Sequence, residues 1–317
     1  MNTQMPTSND IQESIMVASL RESADDNDRL DFEKFVNTVL YSPEYGYYSR
    51  ERARVGRRDE TDFYTAQSLG SIFGQLIVES CDNLLGKENL GKYTFVEIGA
   101  EPESSVLQGV DHSFVDTRTI CIGDEIVIPA EAIVFANEWL DAQPFRRFRF
   151  DKKKGWVERG VEIVDGISVR EIDLPETSPD AANYLEKFPV EVEEGYLLDL
   201  PTGAVKALRN LCMQRWTGLF LTLDYGLNLR QFLEERPKGV ARAYRRHRLS
   251  GNLLAHLGNQ DITCHICWDA LRNILEESGF SEIFQERQES SRKRKWTAPI
   301  KEQLAREKAF YRLKSRK

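Results

Sequence analysis

No apolar run in the chain approaches the roughly 18 residues that a membrane span needs. Cysteine is scarce: Cys81, Cys121, Cys212, Cys264 and Cys267 are an odd, scattered set, which suits reduced thiols and excludes a disulfide framework. Cys264 and Cys267 have the spacing of a redox or zinc pair. No second Cys/His pair stands at ligand distance to close a tetrahedral site, so they read as small residues beside a helix start, and no metal is expected. The stretch 1–28 has neither a basic start followed by an apolar segment nor the Arg-rich, acid-poor character of a transit peptide. It reads as a disordered leader, and the expected address is the cytoplasm. Internal repeats are absent.

What is present is a globular composition, 41% hydrophobic and 30% charged over 317 residues, enough for one large core or a core with a cap. The formal charge of −8 hides an asymmetry, because the tail 291–317 (SRKRKWTAPIKEQLAREKAFYRLKSRK) is strongly basic. The remainder is therefore more acidic than the total. An acidic body argues against nucleic acid as a partner and is compatible with a cationic peptide.

The chemistry concentrates around residues 132–144, AIVFANEWLDAQP. The run from Ala132 to Ala136 has the length and character of a buried strand, and it ends abruptly in Asn137 and Glu138, with Asp141 following. In open α/β sheets ligands bind beyond the carboxyl ends of the strands. Residues 219–223 repeat the design, an apolar run that exits into Asp224. Two such strands predict one shared edge, with Glu138 and Asp224 delivering carboxylates to a common pocket.

Around this edge the chain reads as alternating elements. Residues 30–40 carry Leu30, Phe32, Phe35, Val36 and Val39 at helical spacing, and 68–81 form a second amphipathic helix. Between them, Tyr41 to Tyr48 (YSPEYGYY) is an aromatic loop that either packs a cap onto the body or lines a site for a flat cation or an adenine. Asp62 and Thr65 stand where a helix cap would stand. KYTFVEIGA (92–100) is the candidate first strand, ending in Glu97 and Gly99. The turn after it, Ala100-Glu101-Pro102, adds negative charge and no further glycine. Such a turn repels a phosphate and tolerates a sulfonium. ICIGDEIVI (120–128) reads as another strand, 155–174 as a hairpin about Asp165-Gly166, and 175–200 as a surface connection. Helices follow at 202–216 and 268–278. Tyr244-Arg245-Arg246-His247-Arg248 is a basic patch without interleaved aromatics, and the tail beyond Pro299 reads as a solvated basic helix.

Laid out in order, FEKFVNTVLYSPEYGYY (32–48), TDFYTAQSLGSIFGQ (61–75), FVEIGA (95–100), FANEWLDAQPF (135–145), LTLDYG (221–226) and RAYRRHR with GNQDITCHICWDAL (242–248, 258–271) resemble the MidA-like methyltransferases. These are the bacterial relatives of the mitochondrial complex I assembly methyltransferase. The resemblance implies an α/β fold: a doubly wound, mostly parallel, Rossmann-like sheet of the class I methyltransferases with an N-terminal helical cap. It further implies S-adenosylmethionine as cofactor and a protein substrate methylated at arginine. The implied layout is a cap over 29–91, a catalytic domain over 92–290 with an insertion at about 155–200, and the basic tail; a homodimer is left open.

Carried over by position, Asp62, Thr65, Glu97, Gly99, Ala100 and Asn137 fall on the cofactor side. Glu138, Asp141 and Asp224 fall on the catalytic side, where carboxylates would pair with a guanidinium. The chain departs from the family in lacking the second glycine of the turn. About thirty residues separate Gly99 from Ala132, too few for two complete βα units. The sheet is therefore expected to be truncated after its first strand, with Asp116 or Asp124 replacing the usual ribose contact. The alternative is a catalytically inactive protein that kept the fold for binding or assembly and lost the cofactor site.

Overall fold

A computed structural model describes residues 8–49, 71–185, 188, 192–246, 248–287 and 309–314. Its centre is a six-stranded sheet built from β1 (Thr94–Ala100), β2 (Asp116–Cys121), β3 (Glu131–Asn137), β4 (Thr217–Asp224), β5 (Ser281–Arg287) and β6 (Ala309–Lys314). The spatial order is β5-β6-β4-β3-β1-β2. The pairs β1/β2, β1/β3 and β3/β4 are parallel, while β6 runs antiparallel to both neighbours.

Strand alternation decides which face each residue serves. Val96, Ile98, Val134 and Phe220 pack under α4 (Thr202–Met213) and α5 (Trp268–Glu277). Phe95, Ile133, Phe135, Leu219 and Leu221 pack under α3 (Ser71–Leu85) on the opposite face. With both faces covered, the central strands are apolar nearly throughout, as parallel strands must be. The connections 101–115 and 122–130 contain no helix. In their place α3 leans on the first of them, where Gly74 is so close to the Val106 carbonyl oxygen that a side-chain carbon would collide with it.

A second, antiparallel sheet lies between β3 and α4 in the chain. Its strands are Arg146–Asp151, Gly155–Val164, Ser168–Asp173 and Leu197–Leu200, with Arg29–Asp31 added at one edge. The turn of its hairpin places Asp165 at φ 51° and Gly166 at φ 70°, the positive values that tight hairpin turns require. Helices α1 (Ser8–Ser23) and α2 (Phe32–Tyr41) bury Met16, Val17, Leu20, Phe32 and Phe35 against Phe145, Phe148 and Val161 of this sheet. Asp31 caps α2 by accepting the Lys34 N–H at 2.8 Å. Arg147, buried beneath Phe32, pairs with buried Asp199 at 2.6 Å.

Several expectations are corrected. The leader expected to be disordered over 1–28 forms α1 from Ser8, because Met16, Val17 and Leu20 make a stripe that is wholly buried. The cap expected over 29–91 is divided: α2 belongs to the second sheet and α3 to the main one. The insertion begins at Arg146, before the hairpin, and the segment read as a surface connection includes the strand Leu197–Leu200. The strand expected over 120–128 lies earlier, at Asp116–Cys121. Within the tail expected to be a solvated helix, Ala309–Lys314 is a strand whose backbone pairs with β4 from Leu219 to Asp224. An open edge of polar backbone groups on a central strand outweighs a weak helical pattern. Among the described residues no helix is long and apolar enough to cross a membrane.

Candidate active site

The carboxyl ends of β1, β2 and β3 open onto a cleft of about 200 Å³, walled by Gly99, Cys121, Asp124, Glu138, Trp139 and Gln143, with Tyr41 and Tyr48 closing one side. Gly99 adopts φ 78°, a conformation that favours glycine, and a side-chain carbon there would lie 3.6 Å from the Trp139 ring. The glycine thus brings bare backbone to the cleft. Two residues earlier, Glu97 is buried and accepts from the Ser105 hydroxyl at 3.0 Å and the Val106 N–H at 2.8 Å. It ties down the connection after β1 and does not face the cleft. Ala100 is likewise buried in the wall behind it.

At the end of β2, Asp124 accepts the Cys121 N–H at 2.7 Å, which fixes its carboxylate at the cleft. Asp116, the other candidate there, begins the strand and therefore stands at its opposite end. At the end of β3, Asn137 keeps a buried side-chain oxygen with no hydrogen-bond partner. Glu138 follows at φ 51°, left-handed and strained for a residue with a side chain. Its N–H donates to the Leu223 carbonyl at 2.8 Å, so pairing with β4 holds the strained turn and turns Glu138 into the cleft.

Beneath Glu138 lies a group of buried acids. Asp224 is fully buried and accepts from the N–H groups of Leu140 at 2.9 Å, Asp141 at 3.3 Å and Tyr225 at 2.9 Å. These bonds hold down a pKa that burial nevertheless raises to about 7. Asp141, 3% exposed, is raised well above the carboxylate range by burial first and then by the charges of Asp224 and Asp261. The carbonyl of Asp141 accepts from Cys264 N–H at 2.8 Å, joining the turn to the strand Asp261–Cys264. Tyr48 donates to Asp261 at 2.7 Å, and Tyr41, stacked on Tyr48, donates to the Ala142 carbonyl at 2.8 Å. Burial, followed by the charge of Asp261, pushes both phenols above their usual range.

The expected pocket shared by Glu138 and Asp224 is thus corrected in part. The register that sets Asn137 opposite Leu223 brings both acids to one edge, yet only Glu138 reaches the cleft. Asp224 and Asp141 are committed to the turn below it. Asp62 and Thr65 lie outside the described residues. The aromatic loop does both things left open for it, packing onto the core through Tyr47 and lining the cleft through Tyr41 and Tyr48. Sequence reasoning passed over Trp139, Gln143 and Asp261 as site residues; Trp139 adjoins Glu138, but nothing local marks Asp261. Cys264 and Cys267 are buried, Cys267 at the start of α5, and the described residues contain no group of three or more His, Cys, Asp or Glu side chains suited to a metal.

In an open α/β sheet with parallel centre and antiparallel edge, a polar cleft at the carboxyl ends of the strands is where a ligand or cofactor binds. Residues 92–284 match the family model described as "Putative S-adenosyl-L-methionine-dependent methyltransferase", and the chain belongs to that family. A COG1565 superfamily member from Burkholderia thailandensis, bound to S-adenosyl-homocysteine, superposes with a TM-score of 0.79 at 22% identity, covering 98% of this chain and 95% of its own. A native structure of a COG1565 superfamily protein from the same organism gives 0.74 at 21%, covering 98% and 94%. No curated protein matches the chain.

Proposed function

We propose that this chain transfers a methyl group from S-adenosylmethionine to an arginine side chain of a protein, as a MidA-like enzyme of the cytoplasm. The observation that carries the reading is the charge of the cleft: the described residues of its lining include the carboxylates of Asp124 and Glu138 and no lysine or arginine. A cleft of that sign suits a sulfonium donor and a guanidinium acceptor together. Bare backbone at Gly99 gives the cofactor room to approach, and the fixed carboxylate of Asp124 fits its hydroxyl groups. The S-adenosyl-homocysteine bound to the Burkholderia protein supports a cofactor of this kind.

S-adenosylmethionine supplies an electrophilic methyl group. The chain's own residues then do mostly positioning, which is where such a displacement gains its rate. Asp124 would hold the ribose hydroxyls, and the faces of Trp139, Tyr41 and Tyr48 would flank flat or cationic groups. Glu138 would grip the guanidinium through two parallel hydrogen bonds and accept the proton released as the new N–C bond forms. Asp224 and Asp141, held to the turn, keep Glu138 in place.

Calorimetric titration of the full chain with S-adenosylmethionine tests the reading, and micromolar binding is expected. The variant Glu138→Gln should bind the cofactor as before and lose roughly a hundredfold or more in transfer to arginine-containing protein. Absence of heat at millimolar cofactor would instead favour the binding-protein alternative, which the charged, glycine-poor turn at Ala100-Glu101-Pro102 supports. Undiminished transfer by Glu138→Gln would remove that residue from the mechanism.

A further inference from the structure

The hairpin formed by Ala241–Arg245 and Arg248–Ser250, with Asp261–Cys264 on its other side, carries a second concavity. It measures about 540 Å³ and is lined by Arg245, Arg246, Arg248, His256 and Gln260 among others, with no carboxylate among the described residues of its wall. Its charge is the opposite of the first cleft's. The two are joined through one strand. Gln260 lines the basic concavity, while its neighbour Asp261 accepts the hydrogen bond of Tyr48, which lines the acidic cleft. Register places Tyr244 directly across from Asp261, so Arg245 enters the concavity at the point nearest this shared wall.

The basic wall is built and not merely a solvated charge run. Arg246 and His256 both hold φ near 47°, a strained conformation for residues with side chains. Arg245 and His256 meet at 3.3 Å across the concavity. The loop opposite is fixed from inside by buried Gln260, whose amide donates to the carbonyls of Asn252 at 3.1 Å and Leu253 at 3.0 Å. Arg246, Arg248 and His256 are exposed on this rigid frame. Guanidinium groups so grouped suit carboxylates, which they pair bidentately.

We propose that this concavity docks an acidic segment of the protein substrate, so that the methylated arginine lies close in sequence to aspartate or glutamate residues. The inference rests on the methyltransferase reading for its biological meaning and adds the substrate class. The net acidic body and the absence of Phe, Tyr and Trp among the described residues of the wall favour an acidic peptide over RNA, which would need broader stacking surfaces and a broader basic field. A peptide bridging the two concavities would place its cation against Glu138 and its anions against Arg245 and Arg248, fixing its direction.

The test is fluorescence anisotropy with the full chain and three labelled probes: a peptide with one arginine followed by glutamates, the same peptide with glutamines, and a uridine oligonucleotide. The acidic peptide should bind at least tenfold more tightly than the glutamine peptide and weaken as salt rises. Arg245→Glu and Arg248→Glu should each reverse that preference while leaving cofactor heat and the melting temperature unchanged. Arg248 is exposed, so its variant remains informative if Arg245→Glu disturbs the hairpin. Equal affinity for the acidic and glutamine peptides, equal affinity of wild type and Arg248→Glu for the acidic peptide, or tighter binding of the oligonucleotide would overturn the proposal. Loss of peptide selectivity with cofactor binding intact would sink only this inference. Retained selectivity without cofactor binding would sink only the methyltransferase reading.

Discussion

Replacing Asp141 by asparagine tests whether a proton is part of the fold at the active edge. In an unfolded chain this carboxyl ionises near 3.8, whereas burial and then the charges of Asp224 and Asp261 hold it well above that value in the folded state. The native protein therefore binds a proton that the unfolded chain has released, and stability falls as pH rises through the interval between the two pKa values. Each pH unit within that interval costs about 1.4 kcal/mol. In a chain of this length about 1 kcal/mol moves the melting temperature by roughly 2 °C, so each such pH unit is worth about 3 °C. Asparagine has the shape of the protonated carboxyl and nothing to lose. As pH rises through that interval the variant should therefore lose about 3 °C less per pH unit than the wild type. Asp224, raised to about 7, interacts directly with Asp141, so the difference between the two proteins belongs to the pair of carboxyls. Scanning calorimetry at fixed ionic strength reads the difference directly. Parallel pH profiles for the two proteins would refute the reasoning, because they would mean that Asp141 is ionised in the fold.

Two further substitutions probe the cleft and its support. Asp124→Ala removes the carboxylate that the Cys121 N–H fixes at the end of β2, and affinity for S-adenosyl-homocysteine should fall about tenfold, or about 1.4 kcal/mol; an unchanged dissociation constant would detach this strand end from cofactor binding. Gly74→Ala should lower the melting temperature although alanine favours helix by about 1 kcal/mol, because the added methyl collides with the Val106 carbonyl and overpacking costs about 1–3 kcal/mol. A higher melting temperature for that variant would show that the connection after β1 gives way freely.

The main sheet was legible where each strand carries its own signal. TFVEIGA and EAIVFAN are apolar on both faces because helices cover both, and a run that short and that uniform has few other uses. The missing helices between β1 and β3 were legible as well, from arithmetic on the number of residues available. What stayed hidden was structure whose stability comes from a distant partner. Helix α1 has too polar a sequence to announce itself, and only the surface of α2 and the second sheet explains why Met16, Val17 and Leu20 are buried. The strand β6 is hidden for the same reason, since it is embedded in a basic tail and its pairing depends on the unpaired edge of β4.

The site shows the same division between what is local and what is assembled. Glu138, Asp141 and Asp224 could be grouped because two strands of one design end at one edge, and parallel register does bring them there. Their surroundings are completed by Asp261, which arrives from a strand more than a hundred residues beyond Asp141 and accepts from Tyr48, while the Asp141 carbonyl is linked to Cys264 of the same strand. In these surroundings Asp141 is driven to hold a proton and Asp224 is committed to three backbone N–H groups. Neither can then offer full charge to a ligand. The negative potential of the cleft consequently comes from the two acids on its surface, Asp124 at the second strand and Glu138 at the third. Those two stand on opposite sides of the first strand, whose end is the bare glycine Gly99. A sulfonium seated over that glycine would have a carboxylate on either hand, one fixed by the Cys121 N–H and the other by a strained turn anchored to β4. The burial of the lower acids is thus what allows the upper ones to be specific, because an open cluster of four carboxylates would attract any cation that reached it.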